Sequence, residues 1–524
     1  MRQARSSAGF WAGVAAGAAA TAVLFAYRGA TGTPTLPEVL AERMIRLLPY
    51  QVFALLLAHL QHLAKPLALA GAVALLLVGF GLGGEAAVRL VPSSRWPGAF
   101  RAVLVALATW VILTWIVLPA VEGTLLGVPL TTTVPHPALP FALASAVYGG
   151  LLAALSGRGR RAVAPASLSG PGGRGGAGDP GSRGLGRRDV LRRSALAALV
   201  AVAGGPVLAW SPRSLAGTIR SRGADAARTV FRLLKGMPPE VTPTAQFYQV
   251  SKNFFDPVVD VSRWTLHVTG LVGRPLKLSL EELKASAPPV ERYQTLECIS
   301  NEVGGDLIST ARWKGVRMRD VLGAAQVDRR ATTVIMRSVD GYSESIPLAV
   351  AMDPTTLLAY EMNGEPLPQK HGAPVRVLIL NRYGMKQPKW LTTIELADHP
   401  YTGYWEQQGW SQEAIVKTNS AFRVEVREDG VLLLGGWAFA GSRGIARVEI
   451  SADGGRSWFP AALKGPLGVN CWQFWSAEWR PPAPGTYTLE VRAVDGTGQV
   501  QPQGPKPTLP DGAEGYHTVR VRFG

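Results

Sequence analysis

The chain has 524 residues, 47% of them hydrophobic, with a formal net charge of +17 and only two cysteines. That length exceeds the ~250–300 residues a single core supports, and two cysteines exclude a disulfide framework. The positive charge does not indicate nucleic acid. Much of it lies in one arginine-rich segment, and basic residues interleaved with aromatics on a folded surface are not evident.

Four apolar runs open the chain, at residues 9–27, 66–83, 102–121 and 137–156. Each approaches the ~20 residues that carry a helix across ~30 Å of hydrocarbon. None shows the polar stripe of a helix in a water-soluble bundle, so residues 1–156 are expected to form a four-helix membrane region. Residues 157–193 are rich in Gly, Pro, Ser and Arg without hydrophobic periodicity, the composition of a flexible linker. Nine arginines against Asp179 and Asp189 give this linker a net charge of +7. Such a cluster beside membrane spans stays in the cytoplasm. Residues 194–212 supply a fifth, shorter span, and counting spans places everything beyond Trp210 outside a bacterial inner membrane. Arg89, Arg95 and Arg101 in the connection 84–101 agree with that topology, whereas Arg28, Arg43, Arg46 and Lys65 in 28–65 oppose it. Gly186-Arg187-Arg188-Asp189-Val190-Leu191-Arg192 resembles a twin-arginine export signal, with Gly186 where Ser or Thr is expected and Val190 where Phe is. Its internal position suits an anchor rather than a removed leader. His59 and His62 lie on one amphipathic stretch and suit an interface better than paired haem ligands.

From Thr242 the composition is that of an ordinary globular protein. Trp264–Thr269 alternates like a strand, Ser279-Leu280-Glu281-Glu282 is a capping box opening a short helix, and Val334–Met336 and Val375–Leu380 suit buried strands. Asp340-Gly341 and Asn363-Gly364 are turn pairs. Residues 240–408 are therefore expected to form an α+β domain. Residues 412–524 show strands alone: Phe422–Arg427, Val431–Phe439, Ala446–Ser451, Trp472–Trp479, Thr486–Ala493 and Tyr516–Phe523. Six or seven such strands with Asp453-Gly454 and Asp495-Gly496 turns make an immunoglobulin-like β-sandwich. A sandwich of this kind binds or dimerises, and no catalytic cluster appears in it.

Cys298, in Thr295-Leu296-Glu297-Cys298-Ile299-Ser300-Asn301, stands out. Pairing with Cys471 is disfavoured because the two fall in different domains. A lone cysteine is commonly a small buried hydrophobe, but beside polar and glycine-rich sequence it also suits a nucleophile, a redox group or a soft metal ligand.

Around it the residues resemble the sulfite oxidase family of molybdopterin enzymes. The resemblance rests on Glu297-Cys298, on Ile308-Ser309-Thr310-Ala311-Arg312-Trp313-Lys314-Gly315-Val316, and on Asp340-Gly341-Tyr342 before Ser345-Ile346-Pro347-Leu348. It continues through Tyr360-Glu361-Met362-Asn363-Gly364-Glu365-Pro366-Leu367-Pro368, His371-Gly372-Ala373-Pro374-Val375-Arg376 and Lys389-Trp390-Leu391. These cover slightly over half the chain, in order. The resemblance implies a catalytic domain in residues 245–405 and a dimerisation domain, hence a homodimer, in 412–524. It implies a molybdenum cofactor, Mo-molybdopterin, with Cys298 as the metal's thiolate ligand and Tyr342 as an active-site tyrosine donating to an oxo group or substrate. His371, Arg376, Gly384, Lys386 and Lys389 match positions that hold the cofactor, with Tyr248, Gln249, Asn253 and Ser338 approaching it. The implied reaction is oxygen-atom transfer on a small oxyanion, sulfoxide or N-oxide, and an external cytochrome or quinone-linked protein would exchange the electrons.

The chain departs from the family at one point. Animal-type sulfite oxidases follow the cysteine with Gly-Asn-Arg-Arg and grip sulfite with several arginines. Here Ser300-Asn301-Glu302-Val303-Gly304-Gly305 follows, and Lys252 stands near Asn253 where an arginine is expected. Fewer cations and an added Glu302 weaken attraction for a dianion, which leaves sulfite oxidation and sulfoxide or N-oxide reduction both open. Two other readings compete. One is a metal-free, membrane-tethered binding protein that keeps the fold; the other is a thiol enzyme, which would need an activating base near Cys298.

Overall fold

The computed structural model describes residues 2–48, 52, 56, 60, 63–91, 96–122, 138–157, 231–428 and 430–523. They belong to two compact units, Met1–Thr218 and Ile219–Gly524. The linker beyond Gly157, the twin-arginine-like motif, the fifth span at 194–212, Arg95, His59 and His62 lie outside the described residues.

The first unit is helical: α1 (Arg2–Thr31), α2 (Leu36–Arg46), α3 (Ala64–Leu90), α4 (Gly98–Val111, continued by a π-helical Ile112–Val117 and a last turn Leu118–Glu122) and α5 (Ala138–Gly157). Four stretches are long and apolar enough to cross a membrane: Ala8–Thr31, Ala64–Leu90, Gly98–Ala120 and Ala138–Ser156. They match the four expected runs. α1 and α3 meet backbone to backbone, because a Cβ on Gly13 would lie only 2.4 Å from the Phe80 carbonyl oxygen. Close contact through small residues is how helices associate where lipid removes the hydrophobic drive.

Residues 28–65 are not a simple loop. Thr35 opens α2 with a capping box to Glu38, and Leu36 and Val39 pack into the same core as α1 and α5. Of the basic residues that oppose the expected topology, Arg28 is buried 3.7 Å from Glu38, and Arg43 is buried too. Arg101 is likewise buried, donating to the Val91 carbonyl (3.0 Å) and Ser156 Oγ (2.8 Å).

The second unit holds an α+β domain and a β-sandwich. In the first, β1 (Leu266–Gly270), β2 (Leu276–Leu278), β5 (Thr333–Ser338), β6 (Ser343–Pro347) and β10 (Leu391–Ala397) form one sheet in the order β2-β1-β10-β5-β6. β3 (Val290–Glu297), β4 (Ile308–Arg317), β7 (Leu357–Met362) and β8 (Glu365–Pro366) form the other, with β9 (Arg376–Leu378) on β7. The core between them gathers Leu266, Val268, Met318, Leu322, Ile394 and Trp390. The capping box at Ser279 forms as expected, opening the helix Leu280–Ala285. β1 begins two residues later than its alternation suggests; Trp264 is buried and its indole N–H donates to the Leu391 carbonyl (2.8 Å). The apolar run 375–380 pairs only over 376–378, because the Ile379 amide is taken by Gln387 Oε1 (3.1 Å).

The sandwich has eight strands: β11 (Asn419–Glu428), β12 (Val431–Phe439), β13 (Ile445–Ser451), β14 (Phe459–Pro460), β15 (Ala462–Leu463), β16 (Gln473–Trp479), β17 (Gly485–Asp495) and β18 (His517–Phe523). They form two sheets, β11-β12-β16-β15 and β14-β13-β17-β18. The six expected strands are all present. β14 and β15 are two-residue edge pieces, too short to leave an alternating signal.

Arg443 ties the sandwich to the α+β domain. Its guanidinium reaches Asp495 Oδ2 (2.9 Å) and the Val416 carbonyl (3.0 Å) on its own side, and Asn381 Oδ1 (3.0 Å) across the junction. We expect Arg443→Ala to cost about 2–4 kcal/mol, since it strips a buried carboxylate of its cation. Urea unfolding tests this. A midpoint change worth less than about 0.5 kcal/mol would show that the junction is held elsewhere.

Candidate active site

β3 and β4 pair from Val290↔Gly315 to Glu297↔Ile308, and Cys298 is the first residue past the ladder. Its amide donates to the Leu307 carbonyl (3.0 Å), and its carbonyl accepts from the Asn301 amide (3.0 Å). The thiol is buried, with Sγ 3.0 Å from Ser300 Oγ; both cysteines are free. Asn301 accepts the Leu307 amide (3.0 Å) and donates to Glu297 Oε1 (2.9 Å). The sandwich completes the frame. Asn419 donates to Glu297 Oε2 (3.1 Å), and Arg423 donates to the carbonyls of Gly304 (2.8 Å) and Gly305. At Gly304, φ is +74° and a Cβ would lie 2.4 Å from His517 Nε2, so glycine is required there. Burial raises the Glu297 carboxyl to about 7 despite its amide donors.

Tyr248 links this turn to a group of cations. Burial holds its phenol well above its ordinary pKa, and it interacts with Cys298, Arg376 and Glu297. Its hydroxyl sits 2.9 Å from where a Cβ on Gly384 would be, so a side chain at 384 would displace the phenol. Arg376 is 5% exposed. Its Nη1 donates to the His371 carbonyl (3.2 Å), and the guanidinium stacks 5.2 Å above the Trp313 ring. Its Nε has no partner among the described residues. Burial lowers its pKa to about 10, and no carboxylate among the described residues offsets that. His371 is pushed down to about 4, first by burial, so its imidazole is neutral. Its Nε2, 3.0 Å from the Thr244 carbonyl, therefore carries the proton, because a carbonyl only accepts. Lys389 is lowered to about 8 by burial, with Asp256 opposing and Arg376 reinforcing the shift. Ser338 ends β5 with a buried hydroxyl that has no partner among the described residues.

Tyr342 donates its hydroxyl to the Met385 carbonyl (2.6 Å), with Glu344 Oε2 at 3.4 Å. The expected donor to an oxo group is thus bonded within the protein. Lys386, expected beside the cofactor, points its ammonium at Glu344 Oε1 (2.7 Å) and at Glu406, all three side chains buried. Asn253 donates to Asp340 Oδ2 (2.8 Å) and accepts from Lys252 (3.0 Å), whose ammonium lies 4.0 Å from the same carboxylate oxygen. Gln249 is exposed. Sequence reasoning missed Glu344, Glu406, Arg423 and His517, and gave Asp340 no role beyond its turn and motif. The one available signal was Glu344, an acidic residue inside a strand buried at four of its five positions.

Comparison with known proteins identifies the families of both domains. Residues 254–405 match the oxidoreductase molybdopterin binding domain family, and 404–521 match the Mo-co oxidoreductase dimerisation domain. Sulfite oxidase of Gallus gallus is 31% identical over 334 residues, which cover 52% of this chain and 71% of that protein. The chain belongs to the sulfite oxidase family. Mitochondrial sulfite oxidase of Rattus norvegicus is 33% identical, covering 51% of this chain and 59% of its own length. Nitrate reductase [NAD(P)H] of Hordeum vulgare is 30% identical, covering 50% of this chain and 37% of its own. The protein is thus a molybdopterin-dependent oxidoreductase with a C-terminal dimerisation domain.

The residues present fit a molybdenum cofactor. The buried Cys298 thiol is the kind of soft donor that would suit molybdenum. The buried Arg376 Nε and the buried Ser338 hydroxyl, neither with a partner among the described residues, are donors of the kind a phosphate needs.

Two predictions follow from these charges. In cofactor-free protein, Arg376→Met removes an uncompensated buried charge and should leave the melting temperature unchanged or higher, while bound pterin falls at least about tenfold; a markedly lower melting temperature would assign Arg376 a structural role instead. The second concerns Glu344, raised from 4.5 to about 8, first by burial. The folded state keeps a proton that the unfolded state has lost, so this stability is complete below pH 4.5 and lost as pH rises through 8. We expect Glu344→Gln to flatten the stability decline between pH 7 and 8, by at most about 1.4 kcal/mol per pH unit; an unchanged slope in urea titrations would refute it.

Proposed function

We propose that this chain is a membrane-anchored, homodimeric molybdenum enzyme that transfers an oxygen atom on the extracytoplasmic side. The observation that carries the reading is Arg376, a buried guanidinium with no carboxylate against it among the described residues, sharing Tyr248 as a neighbour with the Cys298 thiol. The four apolar helices and the arginine-rich linker support the anchor and its orientation.

When bound, the cofactor supplies two-electron oxygen-atom exchange between Mo(VI) and Mo(IV). The chain supplies the rest. Cys298 is the soft ligand, and the turn fixed by Asn301, Arg423 and His517 sets its direction. Arg376, Lys389 and the Ser338 hydroxyl would take the pterin's phosphate and polar edge. The neutral His371 holds the segment that begins at Thr244. Tyr342 stays protonated, because burial and Glu344 raise its pKa, and it can turn its O–H from Met385 toward a substrate oxygen. Electrons would pass to or from a quinone or cytochrome.

We expect Cys298→Ser to abolish turnover and the Mo(V) paramagnetic resonance signal while circular dichroism and dimer mass stay unchanged. Normal turnover in that variant would defeat this reading and the thiol-enzyme alternative together. Wild-type protein from molybdate-fed cells that contains no molybdenum would favour the metal-free binding protein.

A further inference from the structure

Resting on that reading, we infer that Trp390 is the positioning residue of the proposed cofactor donors: it holds the chain at Ser338, the His371 loop and Lys389 around one indole. Its φ is +52°, a conformation that a bulky residue keeps only where the surroundings over-determine it. Both of its backbone groups reach other segments. The amide donates to the Gly372 carbonyl (3.1 Å), and the carbonyl accepts the Val339 amide (3.0 Å), directly after Ser338. The side chain is 2% exposed, and its N–H donates to the Gln369 carbonyl (2.7 Å). The Lys389 ammonium lies 4.2 Å from the ring centre and donates to the Lys370 carbonyl (3.3 Å) of the same loop. Arg376 rests on that loop as well, through the His371 carbonyl. Gln369 in turn clasps Val259, its side chain accepting the amide (3.0 Å) and donating to the carbonyl (2.9 Å). Two further features turn the chain here. A Cβ on Gly372 (φ +112°) would lie 2.8 Å from Lys389 Cβ, so the two segments meet only because residue 372 is glycine. The pairing of β10 with β5 shifts register between Leu391 and Thr393, a bulge of the sort that re-aims side chains. Core packing alone does not ask for this geometry. Trp264 fills the same core and gives its N–H to the Leu391 carbonyl without a positive φ. Donors reached from separate segments keep their spacing only when a rigid support is common to them, and Trp390 is that support.

The test compares full-length wild type, Trp390→Phe and Trp264→Phe in detergent, with melting temperature, molybdenum and pterin per chain measured. Each variant keeps a buried ring and loses one indole-to-carbonyl bond, so the two melting temperatures should fall alike. Binding of inorganic phosphate is then read by calorimetry on protein freed of pterin. Wild type should bind it saturably. Trp390→Phe should bind phosphate, and hold pterin through dialysis, at least about tenfold more weakly, as loss of an outer support does. Trp264→Phe should match wild type in both. Equal weakening in the two variants would make Trp390 an ordinary core residue and overturn the inference. Unchanged binding in Trp390→Phe, or no phosphate binding by wild type, overturns it too. Phosphate binding needs no metal, so protein that binds phosphate as expected but contains no molybdenum counts against the preceding reading alone. Should Trp390→Phe fail to fold, amide hydrogen exchange in wild type decides. Phosphate should slow the Val339 and Trp390 amides together; slowing of neither, or of one alone, defeats the inference.

Discussion

The turn after β3 is the constraint on which the site depends. A metal–thiolate bond tolerates only about 0.2 Å of misplacement, yet a ten-residue excursion between paired strands is ordinarily compliant. Here it is fixed from inside by Asn301, which bridges Glu297 and Leu307, and from outside by Arg423, His517 and Asn419 of the sandwich. The dimerisation domain is therefore also a brace for the turn that carries Cys298. Loosening the junction at Arg443 should be felt at Cys298, although no residue of the sandwich is placed to do chemistry.

The cations divide into two groups with opposite electrostatics. Arg376, with Lys389 close by, has too little compensation; Lys386 and Lys252 have carboxylates against them. Burying an unpaired charge costs several kcal/mol, which the surrounding core must offset, including Trp313 and Trp390, both essentially fully buried. An incoming phosphate would return that cost as binding energy and so stabilise the loaded protein. The Lys386 cluster has no such demand, being balanced by the chain itself.

Much of the fold was legible in the sequence. Val431–Phe439 is the same strand in both readings, and the four apolar runs became the four long helices. α2 was not, because Glu38, Glu42 and Arg43 look like loop residues until their burial and the Arg28–Glu38 pairing are seen. The run 375–380 looked like a full strand because periodicity cannot register that a glutamine side chain claims the Ile379 amide. The site was legible mainly through resemblance: taken singly, Arg376 and Lys389 read as surface cations, and His371 as a loop residue. Glu344 and Glu406 meet only in three dimensions, on elements that nothing local connects.

The groups proposed to hold the cofactor and the charges around Tyr342 are likewise carried by different elements. The proposed cofactor donors stand on β9, at the end of β5 and in the approach to β10. The groups that set charge near Tyr342 stand on β6, in the loop at Lys252, and after β10 at Glu406. Only Lys386, between Gly384 and Lys389, connects the two sets, and its ammonium is turned away into the carboxylates. Losing the arginines expected after Cys298 and at position 252 therefore leaves the phosphate donors untouched. Lys386 and Lys252 are balanced by carboxylates of the chain itself, so the charge around Tyr342 is set apart from the groups proposed for the cofactor.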